Sequence, residues 1–133
     1  MTGEHLEGFV KDSLQRADKA LEAARHLLAD RLYEDAVSRA YYAMFHAARA
    51  ILFTRGITTK THSGAITNFG IEIAEKGIVD KEYGRILNRA FNLRQKSDYE
   101  TGTLIKKEDV GEMVESAEKF LRVVKSALKK GNK

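Results

Sequence analysis

An all-α fold, an up-and-down bundle of four long helices plus one shorter helix, is what this sequence predicts, and three observations predict it. Apolar residues recur at intervals of three and four along most of the chain, the spacing that gathers side chains on one face of a helix. Proline is absent from all 133 residues, although β-rich and α/β chains use it in turns that long helices do not need. The ten glycines stand singly, where they read as helix ends or packing contacts.

The first helix carries Leu6, Phe9, Val10, Leu14, Ala17, Leu21, Ala24 and Leu28. After a break near Asp30 to Leu32, a second carries Val37, Ala40, Tyr41, Met44, Ala48, Ile51 and Leu52 and stops at Gly56, a residue suited to the left-handed cap. Thr58 to Ser63 is a polar connection. A shorter helix then runs through Ile66, Phe69 and Ile73 to Gly77, with Thr61 or Ser63 as its cap, weakened by Gly64 and Gly70. Asp80 caps a fourth helix, with Tyr83, Ile86, Leu87, Ala90 and Phe91, that reaches Tyr99. The last holds Val110, Met113, Val114, Ala117, Phe120, Leu121, Val124 and Leu128, and the basic tail from Lys129 to Lys133 is expected to fray.

Length argues for a single domain over residues 1–133, with one site for whatever the protein does. A 43% hydrophobic content supplies a core, and the net charge of +4 permits an anionic partner without resembling a histone-like arm. With no cysteine there is no disulfide, thiolate catalysis or Cys-ligated metal. A cytoplasmic protein without a membrane span is expected, because no apolar run approaches the ~20 residues a span needs and the N-terminus is polar.

Two places break the amphipathic pattern. Leu87, Ala90 and Arg94 step by three and four, so the Arg94 guanidinium leaves the apolar stripe of its helix. It must snorkel, meet an external anion, or pair with a carboxylate such as Asp98 one turn on. On the second helix Arg39, Tyr42, His46 and Arg49 share a face beside the apolar stripe, which suits a pocket, a dimer interface or half-buried core residues with bonded polar tips. The fourth helix also reads as a basic strip, with Lys81, Arg85, Arg89, Arg94 and Lys96 against Glu82 alone between Lys81 and Lys96. Phosphate is one complement and bulk solvent the other.

Several chemistries are missing. No Glu-x-x-His occurs, so a di-iron carboxylate site is excluded. His5, His26, His46 and His62 are scattered, so no metal site and no cofactor is expected. Neither phosphate-cradling glycine motif is present, nor a serine nucleophile elbow.

Three stretches, YEDAVSRAYYAMFHAARAIL (33–52), KTHSG (60–64) and DKEYGRILNRAFNLRQKSDY (80–99), closely resemble the HEPN domains, specifically the small stand-alone members. The resemblance implies a helical bundle, a homodimer and, as a partner, a minimal nucleotidyltransferase in a toxin and antitoxin pair. Many active members are metal-independent endoribonucleases that use an Arg followed by a His with four to six residues between, two such motifs forming a composite cleft. The family arginine falls on Arg94, but the histidine positions are Tyr99, Glu100 and Thr101. An ordinary tyrosine, with a pKa near ~10, is a poor base for ribose-hydroxyl attack. The resemblance therefore implies Arg94, Asp98 and Tyr99 as the catalytic positions, with Arg94 stabilising phosphate charge and the other two orienting it or contacting a base. The predicted function is binding of a nucleotide, RNA or a nucleotidyltransferase partner in a groove of Arg94, Asp98 and Tyr99 bordered by Arg39, Tyr42 and His46. A ribonuclease with a non-standard acid–base residue, for which His46 is the sequence candidate, and a structural interaction module are the alternatives.

Overall fold

A computed structural model describes residues 3–99 and 105–131, apart from the side chains of residues 3–6 and of Tyr99. The expected core position Leu6, the Tyr99 side chain, Glu100 and Thr101 therefore lie outside the described residues. The chain runs through α1 (Gly3–Ala29), α2 (Tyr33–Thr54), α3 (His62–Asn68), α4 (Lys81–Tyr99) and α5 (Lys107–Gly131), four long helices and a short one, with no strand among the described residues. None of the described helices is long and apolar enough to cross a membrane.

Helix ends follow from local hydrogen bonding. Gly56 has φ +76°, and the amides of Gly56 and Ile57 bond back to the carbonyls of Phe53 and Leu52. That is the closure in which a left-handed residue turns the chain back onto the last carbonyls. Gly77 ends the α3 region in the same way, bonding to Ala74 while Ile78 bonds to Ile73. At the first break the left-handed residue is Arg31, at φ +63°, with Arg31 and Leu32 closing on Leu28 and Leu27. A side chain there carries backbone strain that glycine would not.

α2 is the central element and packs against each of the other helices. Six buried alanines, Ala36, Ala40, Ala43, Ala47, Ala48 and Ala50, let neighbours approach its backbone from several sides, and Val37, Met44, Ile51 and Leu52 fill the spaces between them. Burial at close-packed density makes these positions sensitive to a change of volume. On the far side of the core Phe120 is fully buried, 5.1 Å from the ring of Phe69 and 6.1 Å from that of Tyr83.

The α3 region departs from the single short helix predicted. Thr61 caps it by accepting from the Gly64 amide at 2.9 Å, but from Phe69 to Ala74 the chain winds as a π-helix, with Glu75 bonding to Gly70. The wider turn places Phe69, Ile73 and Ala74 together on the inward face, which an α-helical pitch does less well. Gly84 of α4 is required by the crossing, because a Cβ there would meet Ala74 Cβ at 3.3 Å and Gly70 Cα at 3.6 Å. Gly84 marks where α4 crosses the π-helical segment closely, whereas a Cβ on Gly70 would meet nothing within 4 Å.

Asp80 caps α4 as predicted, its Oδ1 accepting from the Glu82 amide at 2.9 Å. α5 continues through Lys129 and Lys130 to Gly131, so the start of the basic tail is helical.

Candidate functional site

The site grows from the aromatic run of α2. Tyr41 points inward and is fully buried, whereas Tyr42, one residue on, turns 100° around the helix and stays half-buried. The Arg94 guanidinium, arriving from α4, lies 5.6 Å from the Tyr41 ring and 5.0 Å from the Tyr42 ring. Arg39 lies 5.2 Å from the Tyr42 ring from its own helix. Cations at these distances are held by the negative face of the ring, which fixes a long side chain in place.

Arg94 is 20% exposed, as its place in the apolar stripe of α4 requires. Its Nε stands 3.2 Å from Asp98 Oδ2, yet the geometry is an ion pair without a hydrogen bond, so Nε has no hydrogen-bond partner among the described residues. Asp98 is 34% exposed and keeps contact with water. The pairing expected from the i, i+4 spacing is present, but it leaves the arginine incompletely satisfied.

His62, which the helical pattern does not single out, also belongs to this cluster. Its Nδ1 is 2.7 Å from Tyr41 Oη, and its ring is stacked on Phe45 at 4.2 Å and lies near parallel to Phe91 at 6.5 Å. Burial drives the Tyr41 pKa far above its ordinary value, against the opposing pull of Arg94, so the hydroxyl keeps its proton. Burial, then Arg94 and Arg49, holds the His62 pKa below its usual range. Nothing in periodicity marks this residue, because it opens a short helix after a polar connection; the KTHSG stretch was its one signal.

His46 borders the same ring cluster from the Arg39 side. It neighbours Tyr42 at 6.1 Å and Phe45 at 5.8 Å, and the guanidinium groups around it are Arg16, Arg49 and Arg39 rather than Arg94. Burial first, then those cations and His62, depress its pKa to about 4. It is therefore a neutral, half-buried histidine on the Arg39 side of the cluster. The linkage has a definite sign: the unfolded chain, with an ordinary histidine near 6.5, takes up the proton first. Folding stability at His46 is thus full above about 6.5 and is lost as the pH falls toward about 4. Denaturant midpoints measured across that interval should fall more steeply for the native protein than for His46→Gln.

Among the described residues no carboxylate lies within 4.0 Å of Arg16, Arg39 or Arg49. Arg49 is instead 5.5 Å from the Phe9 ring and 5.7 Å from that of Phe45. The site is a row of rings edged by guanidinium groups, of which Arg94 alone is paired with a carboxylate among the described residues. The basic strip of α4, in contrast, is divided: Arg94 faces Tyr41 and Tyr42, whereas Arg89 and Lys96 line a groove of about 400 Å³ opposite Asp109 and Glu112 of α5. That groove has Met44 and Met113 in its lining and carries both signs of charge. No three metal-ligating side chains come together among the described residues.

Arg39, Tyr42, Arg94 and Asp98 are thus brought together as expected, His46 borders them from the Arg39 side, and Tyr99 is the last residue of α4 with its side chain outside the description. Comparison with known proteins agrees with the fold. The family model described as HEPN domain matches residues 10–127. A protein of Methanocaldococcus jannaschii named "Putative toxin MJ0605" is 40% identical over 116 residues, 87% of this chain and 86% of its own. A second from that organism, "Putative toxin MJ0142", is 36% identical over 115 residues, covering 86% of this chain and 78% of its own. A "UPF0332 protein" of Thermotoga maritima is 33% identical over 114 residues, 86% of each chain.

Proposed function

The chain belongs to the HEPN domain family, and we propose that this member binds single-stranded RNA or a nucleotide through the cationic and aromatic face of α2 and α4, with Arg94 receiving the phosphate. The observation that carries this is the Arg94 guanidinium, held over two tyrosine rings and partly exposed, beside Arg39 and Arg49, which no carboxylate neutralises among the described residues. Polynucleotide recognition without strict sequence preference needs such a combination, cations for the backbone and π-faces for the bases. A guanidinium is the suited group, since its planar fork matches phosphate oxygens. Arg39, Tyr42 and His46 border the same face, and Asp98 orients Arg94.

The toxin names of the two archaeal relatives support a toxin-like role, and with it the homodimer and the nucleotidyltransferase partner that the family resemblance implies. The groove between α4 and α5, with a basic wall, an acidic wall and methionines in its lining, is suited to a protein surface rather than to a polyanion. Phosphate binding and partner binding are therefore assigned to different sides of α4.

The test is fluorescence anisotropy of a short labelled RNA titrated with the protein over a range of salt. Displacing counterions from Arg94, Arg39 and Arg49 gives a log–log salt slope of about −2 for single strands. Absence of binding at low salt, or affinity indifferent to salt, would overturn the assignment in favour of a purely structural interaction module.

A further inference from the structure

His62 and Arg94 come from different elements, yet both lie against the same two rings. The His62 ring is 5.7 Å from that of Tyr41 and 5.8 Å from that of Tyr42, the rings over which Arg94 is held. Its Nδ1 is occupied by the Tyr41 hydroxyl, and Nε2 makes no hydrogen bond among the described residues. The stacking on Phe45 fixes the plane of the ring, so the free edge of the imidazole has one orientation. The residue is half-buried and within reach of solvent.

We propose that His62 is a second phosphate contact of the Arg94 site, and that it binds as the imidazolium, so that seating one phosphodiester draws one proton from solvent onto the protein. This rests on the proposed function above and adds to it a residue and a proton. The balance is simple. A neutral ring gains one proton at whichever nitrogen is bare, no other bond forms or breaks, and the added charge faces the monoanionic phosphate. Tyr41 allows either starting tautomer, because a neutral hydroxyl donates to a bare Nδ1 and accepts from a protonated one.

The titratable and charged groups around His62 are Tyr41, Tyr42, His46 and Arg49 from α2 and Arg94 from α4, while Asp98 is engaged with Arg94. The cations outweigh any anion near the ring, and burial acts in the same direction, so the free protein holds His62 neutral. A phosphate on Arg94 reverses that local balance. The bound form then has the higher pKa, so the extra affinity is complete below the free-state pKa and is lost as the pH rises through the bound-state pKa. Each unit by which the pKa rises on binding strengthens binding about tenfold at low pH.

The experiment uses the full chain and a dinucleoside monophosphate, whose diester has no titration of its own in this range. Calorimetric titration at about pH 6.5, where a histidine is poised, is done in two buffers of different protonation enthalpy and repeated toward higher pH. Proton uptake of up to one per site, with affinity falling about tenfold toward pH 8, is the expected result. In His62→Gln the diester still binds, more weakly, and both the uptake and the pH slope are gone. Binding by the native protein without proton uptake overturns the proposal and leaves the Arg94 assignment standing. Uptake lost in His46→Gln and kept in His62→Gln also overturns it. A native protein that binds no diester at low salt overturns both.

Discussion

Replacing Arg94 with alanine should weaken binding of single-stranded RNA about ten- to a hundredfold, the loss expected when one charge-assisted hydrogen bond of about 1.5 to 3 kcal/mol disappears. The fold should survive. Asp98, the residue's ion-pair partner, is 34% exposed, so truncation leaves a carboxylate that water can solvate rather than a buried charge. The pair is also weak by construction. Arginine precedes the acid by four residues, the less favourable order on a helix, and the acid sits near the negative end of the α4 dipole. Arg94→Leu, which keeps the apolar contact with the two tyrosines, should therefore melt at or above the native temperature. A thermal scan of Arg94→Leu beside the anisotropy titration of Arg94→Ala separates the two roles. A fall of several degrees in the leucine variant with RNA affinity unchanged in the alanine variant would make Arg94 a structural ion pair and remove the centre of the proposed site.

Tyr41→Ala should be the most destabilising change in the site region, costing about 3 to 5 kcal/mol, a large fraction of the stability of a domain of this size. Tyr41 has no exposed surface, and its ring is packed against Tyr42, Phe45, His62, Phe91 and Arg94, so truncation opens a cavity at the junction of α2, α3 and α4. Tyr41→Phe keeps the ring and loses only the hydrogen bond to His62, a cost of about 1 kcal/mol. Tyr42→Ala, at the half-buried edge, should cost less stability than Tyr41→Ala and more RNA affinity. Denaturant midpoints for the three variants test this order. Equal destabilisation by Tyr41→Ala and Tyr42→Ala would mean that the inward and outward roles assigned to the adjacent tyrosines are wrong.

Helix positions were legible in the chain because α-helical periodicity and capping are local. The Gly56 stop, the Thr61 cap and the Asp80 cap each depend on a few neighbouring residues, and each occurs where the pattern indicated. The π-helical winding from Phe69 to Ala74 was not legible, because it is favoured by what the segment must cover and by the approach of Gly84 from α4. Arg94 stood out in the sequence for a comparable local reason: a permanent charge at an apolar position of one helix is visible within a single turn.

Which histidine accompanies that arginine is a different kind of question. His46 shares its face of α2 with Arg39, Tyr42 and Arg49, and that neighbourhood is visible in the spacing of one helix. His62, outside any periodic run, comes to the Tyr41 hydroxyl only because α3 folds back over α2. The sequence by itself determined the helices, their ends and the misplaced charge, since these follow from interactions within a few residues. The tertiary structure alone decided that Arg94 rests on Tyr41 and Tyr42 with His62 beside it, because distances between helices are fixed by how close-packed side chains fill the space between them.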